Sequence, residues 1–211
     1  IGCSPALMGK CVSKSIPINF ISPQGQFLAK VCGETKGNVF TRVDQIDRFR
    51  EYGLILAQNT MAAKFSNTRQ LIRRTLHDNP LLREDEKIKK VMEILDSGIA
   101  KVFDAKTIEE VMGIEGYCAE NYFSVFDKLI TNRKVPFSFE FRTKRPPLDP
   151  VNALLSFVYT LLTSEYAAAL ETVGLDSYIG FCHALRSGRS SLACDLVEEA
   201  RCIAERFVIT L

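Results

Sequence analysis

From about Thr41 to Phe207, apolar residues recur every three or four positions in one segment after another, and any fold of this chain has to satisfy that helical rhythm. Thr41 to Arg50 and Gly53 to Leu76 carry the spacing. His77-Asp78-Asn79-Pro80 interrupts it, and Glu84 to Phe103 resumes it around Ile88, Val91, Met92, Ile94 and Leu95. Thr107 with Glu110 three residues later forms a capping box, which predicts a helix running to about Thr131. Phe137 to Pro147 is an aromatic and basic connector. Asp149-Pro150 then caps a long helix ending before Gly174, and Ser190 or Ser191 starts a last helix to about Phe207.

The first 40 residues have a different character. Ser4-Pro5 places an N-cap before a proline at the first helical position, so a short helix is expected to about Ser13. Pro17 to Ile21 and Phe27 to Val31 are β-leaning runs separated by the turn residues Ser22-Pro23-Gln24-Gly25. Two strands alone are marginal, so the hairpin is expected to belong to a sheet whose other strands precede Ile1. The fold class is mainly α, of α+β type: a partial N-terminal β domain over residues 1–40 and a helical domain over residues 41–211. With no initiator Met before Ile1 and an apolar Phe207 to Leu211 end, the chain reads as a fragment.

Composition narrows the function classes. Hydrophobic residues at 46% are ample for a core, whereas 27 basic against 25 acidic residues leave a net charge of +2, so any nucleic-acid surface must be local. Seven cysteines include no C-x-x-C pair, which fits a reduced, cytosolic protein. The apolar run from Ala153 to Leu162 contains Ser156, Tyr159 and Thr160 and falls short of a bilayer span, so no membrane partner is expected. There is no phosphate-binding glycine loop, G-x-S-x-G elbow or H-E-x-x-H motif.

Glu115 is the most pointed chemical signal. Ile108, Val111, Met112, Cys118, Ala119, Tyr122, Phe123, Phe126 and Ile130 form one apolar stripe, and Glu115 falls in its middle. Burying an unpaired carboxylate costs several kcal/mol, so Glu115 should meet a metal ion or a buried Arg or Lys, or else be locally exposed. Gly113 and Gly116 flank it, a pattern that suits a close approach by another backbone or a ligand. His183, after Tyr178-Ile-Gly-Phe-Cys182, is either a metal ligand or a hydrogen-bonded core histidine, while His77 sits in a polar turn. On the last helix Leu192, Ala193, Leu196, Val197, Ala200, Ile203 and Ala204 form the apolar side. Asp195, Glu198 and Glu199 point away from it, as a solvated face would, although Asp195 and Glu198 lie one turn apart and both could reach one ion. Arg186 and Arg189 beside Gly188, and Arg145 at the end of Phe139-Glu-Phe-Arg-Thr-Lys-Arg145, are either solubilising charges or phosphate contacts.

Three ordered segments resemble the CRISPR-associated spacer integrases, the first-numbered Cas family: Arg145 to Leu162, Gly174 to His183, and Gly188 to Glu199. Gly113-Ile-Glu-Gly116 matches another signature of that family, and Ser4 to Met8 with Ser22 to Ala29 extends the likeness across nearly the whole chain. The resemblance implies an N-terminal β domain and a helical catalytic domain with a Mg²⁺ or Mn²⁺ site. Glu115 and His183 match the glutamate and histidine ligands, and the acidic ligand falls on Asp195 or Glu198. It also implies inserting new spacer DNA into the CRISPR repeat by transesterification, a homodimer bridged by the second-numbered Cas protein, and a cytoplasmic prokaryotic setting. It further implies that strands before Ile1 and a C-terminal tail are missing. Two other readings stand beside it: a general metal-dependent nuclease for branched or single-stranded DNA, and a non-catalytic helical scaffold for nucleic acid or protein.

Overall fold

A computed structural model describes residues 2–14, 16–23, 27–33, 39–131 and 137–211. Helix α1 (Pro5–Ser13) starts where the Ser4 hydroxyl accepts the Leu7 N–H. Strands β1 (Ile18–Ile21) and β2 (Phe27–Val31) pair antiparallel, with Ile18 opposite Val31 and Phe20 opposite Ala29. The turn residues 24–26 lie outside the described residues. All other described elements are helical.

Helix α2 (Val39–Asp78) is one continuous helix of 40 residues, about 60 Å long at 1.5 Å per residue. The segments expected over Thr41 to Arg50 and Gly53 to Leu76 are joined in it, and at Gly53 an added Cβ would meet the Phe181 carbonyl oxygen at 3.6 Å, an ordinary van der Waals contact. A five-residue 3₁₀ turn (Pro80–Glu84) leads into α3 (Glu86–Asp104), whose N-cap Asp85 accepts the Lys87 and Ile88 N–H groups.

Helix α4 (Ile108–Phe123) opens on Thr107, which accepts the Glu110 N–H. The Glu110 carboxylate returns to the Lys106 N–H at 2.6 Å, one residue earlier than a standard capping box. The helix was expected to reach Thr131, yet it stops at Phe123. The Ser124 hydroxyl donates to the Asn121 carbonyl and Val125 N–H turns to Tyr122 instead, so the chain tightens before the short α5 (Phe126–Leu129). Rings of Tyr122, Phe123, Phe126 and Phe139 pack together there.

Helix α6 (Pro150–Thr172) is capped by Asp149, and α7 (Ser191–Thr210) closes the chain. Asn152, fully buried, ties the connector to α6: its side-chain oxygen accepts from Arg142 at 2.7 Å and Thr143 N–H at 2.9 Å, and its amide donates to the Phe141 carbonyl at 2.8 Å. By length and composition α6 could cross a membrane, with a mean hydropathy of 1.3 over its most apolar window, which the Ala153 to Leu162 run alone did not reveal. It packs along α7.

The core lies where α2 is sandwiched by α3, α4 and α7, around Met61, Phe65, Ile72, Leu95, Val111 and Leu192. Packing at Gly98 leaves no room for a methyl group: a Cβ there would sit 2.6 Å from the Cys118 sulfur.

Candidate active site

Helices α2, α4 and α7 each send one charged side chain to the same point. The Lys64 ammonium contacts a Glu115 carboxylate oxygen and donates to Glu198 Oε2 at 2.6 Å. Lys64 is 8% exposed and Glu198 3%, so these are buried charges that compensate one another. Glu198 Oε1 accepts from Arg201 at 2.9 Å and lies 3.9 Å from His183 Nε2. Lys64 thus bridges Glu115 and Glu198, and His183 stands beside Glu198.

His183 is aimed by Asp195. Asp195 is fully buried, and its oxygens accept the backbone N–H groups of Phe181 (2.7 Å), Cys182 (3.0 Å) and His183 (2.8 Å) as well as the His183 ring at Nδ1 (2.6 Å). A carboxylate surrounded by donors favours the tautomer with hydrogen on Nδ1, which leaves the Nε2 lone pair facing Glu198. Four donors fill the acceptor capacity of Asp195. Glu198, not Asp195, is the acidic residue with oxygens turned toward His183 Nε2 and, through Lys64, toward Glu115.

The expectation that Asp195 and Glu198 share a solvated face is overturned. Both are buried, Glu199 alone of the three faces solvent, and Ile203, assigned to the apolar side, is 65% exposed. The hydrophobic pattern fails because Glu198 is buried against Lys64 of α2 and Arg201 of its own next turn, and Asp195 against the N–H groups of residues 181–183. Among the described residues no other backbone makes the close approach expected at Gly113 and Gly116, with nothing within 4 Å of where a Cβ would stand at either. His77 is solvated as expected, its side chain 78% exposed.

Electrostatics of the site follow from this packing. Burial alone would raise the Glu198 carboxyl, but the Lys64 ammonium and Arg201 guanidinium hold it below the ordinary carboxylate value. Behind it Glu205, also buried, is raised by desolvation, which its hydrogen bond from the Tyr159 hydroxyl (2.6 Å) and nearby Arg201 only partly oppose. Arg201 lies over the Tyr159 ring at 4.9 Å. Burial, with Asp195 adding to it, pushes the Cys182 thiol up to about 12, and burial pushes Cys118 up to about 11, so neither is a thiolate nucleophile or a ready metal ligand at neutral pH.

Among the described residues no three His, Cys, Asp or Glu side chains stand close enough together to hold a metal ion. The donor chemistry nonetheless suits one: two carboxylates and an imidazole nitrogen whose ring is fixed by a second-layer acid are ligands for Mg²⁺ or Mn²⁺. The Lys64 ammonium is the cation found between Glu115 and Glu198. Lys64, Arg201 and Glu205 were not singled out from the sequence. The signal for Lys64 was present, since it falls at helical spacing among buried Thr60, Met61, Phe65 and Thr68.

Arg145, Arg186 and Arg189 come together at one cleft of about 870 Å³. Asn19 and Lys30 of the hairpin form one wall, Thr160, Thr163 and Ser164 of α6 another, and Ser190 and Cys194 bring in the start of α7. Lys30 is ion-paired with Glu171, which ties the hairpin to α6. A local basic groove thus exists despite the near-neutral net charge.

The sequence model of the family described as CRISPR associated protein Cas1 matches residues 1–211. A relative named CRISPR-associated endonuclease Cas1 1, from Chlorobaculum tepidum, is 42% identical over 100% of this chain and 62% of its own length. The solved structure of a casposase bound to integration product superposes with a TM-score of 0.81 at 25% identity, over 99% of this chain and 56% of that one. A Cas6-RT-Cas1–Cas2 complex contains a chain that superposes with a TM-score of 0.77 at 25% identity, over 98% of this chain and 22% of that one. The chain spans about three-fifths of the length of the curated relatives that match nearly all of it.

Proposed function

This chain belongs to the Cas1 family of CRISPR-associated proteins, and from that premise we propose that it carries the metal-dependent catalytic centre of a DNA integrase and endonuclease acting in CRISPR adaptation. Its most specific support is the Lys64 ammonium bridging Glu115 and Glu198, a place that holds positive charge, with His183 Nε2 3.9 Å from Glu198. Glu115, His183 and Glu198 would hold Mg²⁺ or Mn²⁺, which when bound neutralises charge at a phosphoryl group and its leaving oxygen. Asp195 acts as a positioning residue: it fixes the His183 ring and the backbone of residues 181–183 so that Nε2 faces the carboxylates.

The reaction proposed is transesterification. The 3′-hydroxyl oxygen of a captured DNA fragment bonds to a phosphorus of the CRISPR repeat, the original P–O bond breaks, and the departing 3′-oxygen takes up the proton and leaves as a hydroxyl. Arg145, Arg186 and Arg189 hold the DNA backbone in the cleft beside the hairpin, where guanidinium groups suit phosphate geometry. The substrate is double-stranded DNA with single-stranded ends. The working assembly pairs two copies of the protein through the β domain to which residues 1–40 belong, leaves catalysis to residues 41–211, and includes the second-numbered Cas protein.

One observation favours a different reading. The Lys64 ammonium compensates both carboxylates without any metal, as the buried ion pair of a helical scaffold would. A half-site integration assay with Mn²⁺ separates the two. Under the catalytic reading, Glu115→Ala and His183→Ala abolish strand joining; activity unaffected by both changes would overturn it.

A further inference from the structure

Lys64 lies beside two acidic sites. One is Glu115 and Glu198, which it bridges. Beside it is also a void of about 10 Å³ where Lys64, Thr68, Tyr122, Arg201 and Glu205 meet apolar side chains such as Phe65, room for about one water-sized group. Glu205 is 3% exposed and uses only Oε1, which accepts from Tyr159; its Oε2 has no hydrogen-bond partner. Arg201 Nε is also without a partner, and the Tyr122 hydroxyl falls short of hydrogen-bond geometry. A buried carboxylate oxygen left unsatisfied beside a long, flexible ammonium is an incomplete pairing.

We propose that Lys64 is a two-position counter-ion. With no divalent cation bound, its ammonium bridges Glu115 and Glu198; with one bound, it withdraws across the small void to Oε2 of Glu205. The inference rests on the metal-centre reading above. An ammonium held against the same oxygens as a divalent ion would repel it strongly at this depth, so it must leave. Expelled without a partner, it would be an uncompensated buried charge. Glu205 supplies that partner within the same protein interior, and the positive charge beside Glu198 is never lost, only moved.

The test is Mn²⁺ uptake by the chain, followed through the electron paramagnetic resonance signal of free aqueous Mn²⁺, with thermal unfolding run on every variant. Lys64→Met has no ammonium to displace and binds Mn²⁺ about tenfold more tightly than wild type, or about 1.4 kcal/mol. Lys64→Gln serves in its place if the Met variant does not fold. Glu205→Gln removes the receiving charge, holds Lys64 on the site and weakens Mn²⁺ binding about tenfold. The double variant Lys64→Met/Glu205→Gln binds like Lys64→Met alone, because Glu205 acts only through Lys64. Wild-type affinity in Glu205→Gln, or no tightening without Lys64, overturns the proposal. If the wild type takes up no Mn²⁺, the metal centre itself fails and takes the proposal with it. Uptake that depends on Glu115 but ignores Lys64 and Glu205 overturns only the two-position counter-ion.

Discussion

His183 and Asp195 meet through ring Nδ1 and carboxylate Oδ1 at 2.6 Å, and the same carboxylate gathers the backbone N–H groups of residues 181–183. One buried acid therefore sets both where the loop runs and which nitrogen of His183 is left to face the site.

Asp195→Asn turns an amide NH₂ toward donors whichever way the group is flipped, because both oxygens of the wild-type carboxylate accept from N–H groups. The variant should lose about 2 to 4 kcal/mol of stability, the cost of buried donors left unpaired. Urea unfolding at neutral pH measures it. Stability within about 0.5 kcal/mol of wild type would show that Asp195 does not hold the loop.

Acid dependence follows from Glu198. Its folded-state value lies below the ordinary 4.5, because Lys64 and Arg201 outweigh its burial. A depressed acid stabilises the fold fully above 4.5, and that contribution is lost as pH falls through the lower folded-state value. Glu198→Gln should cost about 3 to 5 kcal/mol at pH 7, with the difference from wild type shrinking below pH 4.5. Glu205 has the opposite sign. Its value is raised, so its charged form is a burden at neutral pH that lifts as pH falls, and Glu205→Gln should be at least as stable as wild type at pH 7. Unfolding free energies between pH 3 and pH 7 check both signs.

Two glycines near the site should respond in opposite directions. At Gly180 a Cβ would stand 2.5 Å from Asp195 Oδ2 and 2.8 Å from the Ser191 carbonyl carbon, which is rigid backbone. Gly180→Ala is expected to cost about 1 to 3 kcal/mol and to reduce strand joining by shifting His183. At Gly116 nothing lies within 4 Å, so Gly116→Ala should gain up to about 1 kcal/mol in helix propensity. Lost integration activity in a stabilised Gly116→Ala protein would mean that a substrate or partner approaches that backbone.

The cleft makes a salt-dependent prediction. If Arg145, Arg186 and Arg189 each neutralise a phosphate, each change to Ala weakens DNA binding irrespective of sequence and lowers the slope of log affinity against log salt by about 1. Fluorescence anisotropy across a salt series measures it, and unchanged slopes would remove these arginines from the interface.

Much of this arrangement is legible in the sequence. The caps at Ser4, Thr107 and Asp149, the hairpin and the order of helices follow from local chemistry, because a cap or a turn is decided by residues adjacent in sequence. Glu115 on an apolar stripe required a cationic partner on physical grounds alone. The sequence did not say which cation, because Lys64 lies 51 residues away and meets Glu115 only through the packing of α2 against α4. The solvated face assigned to Asp195 and Glu198 was reversed for the same reason: amphipathic patterning records whether a residue is polar, not whether another helix satisfies it. Distinguishing Asp195 from Glu198 also needed tertiary structure, since both acids lie within one turn of α7. Only the return of the loop carrying Phe181, Cys182 and His183 onto Asp195 occupies one carboxylate and leaves the other facing the site.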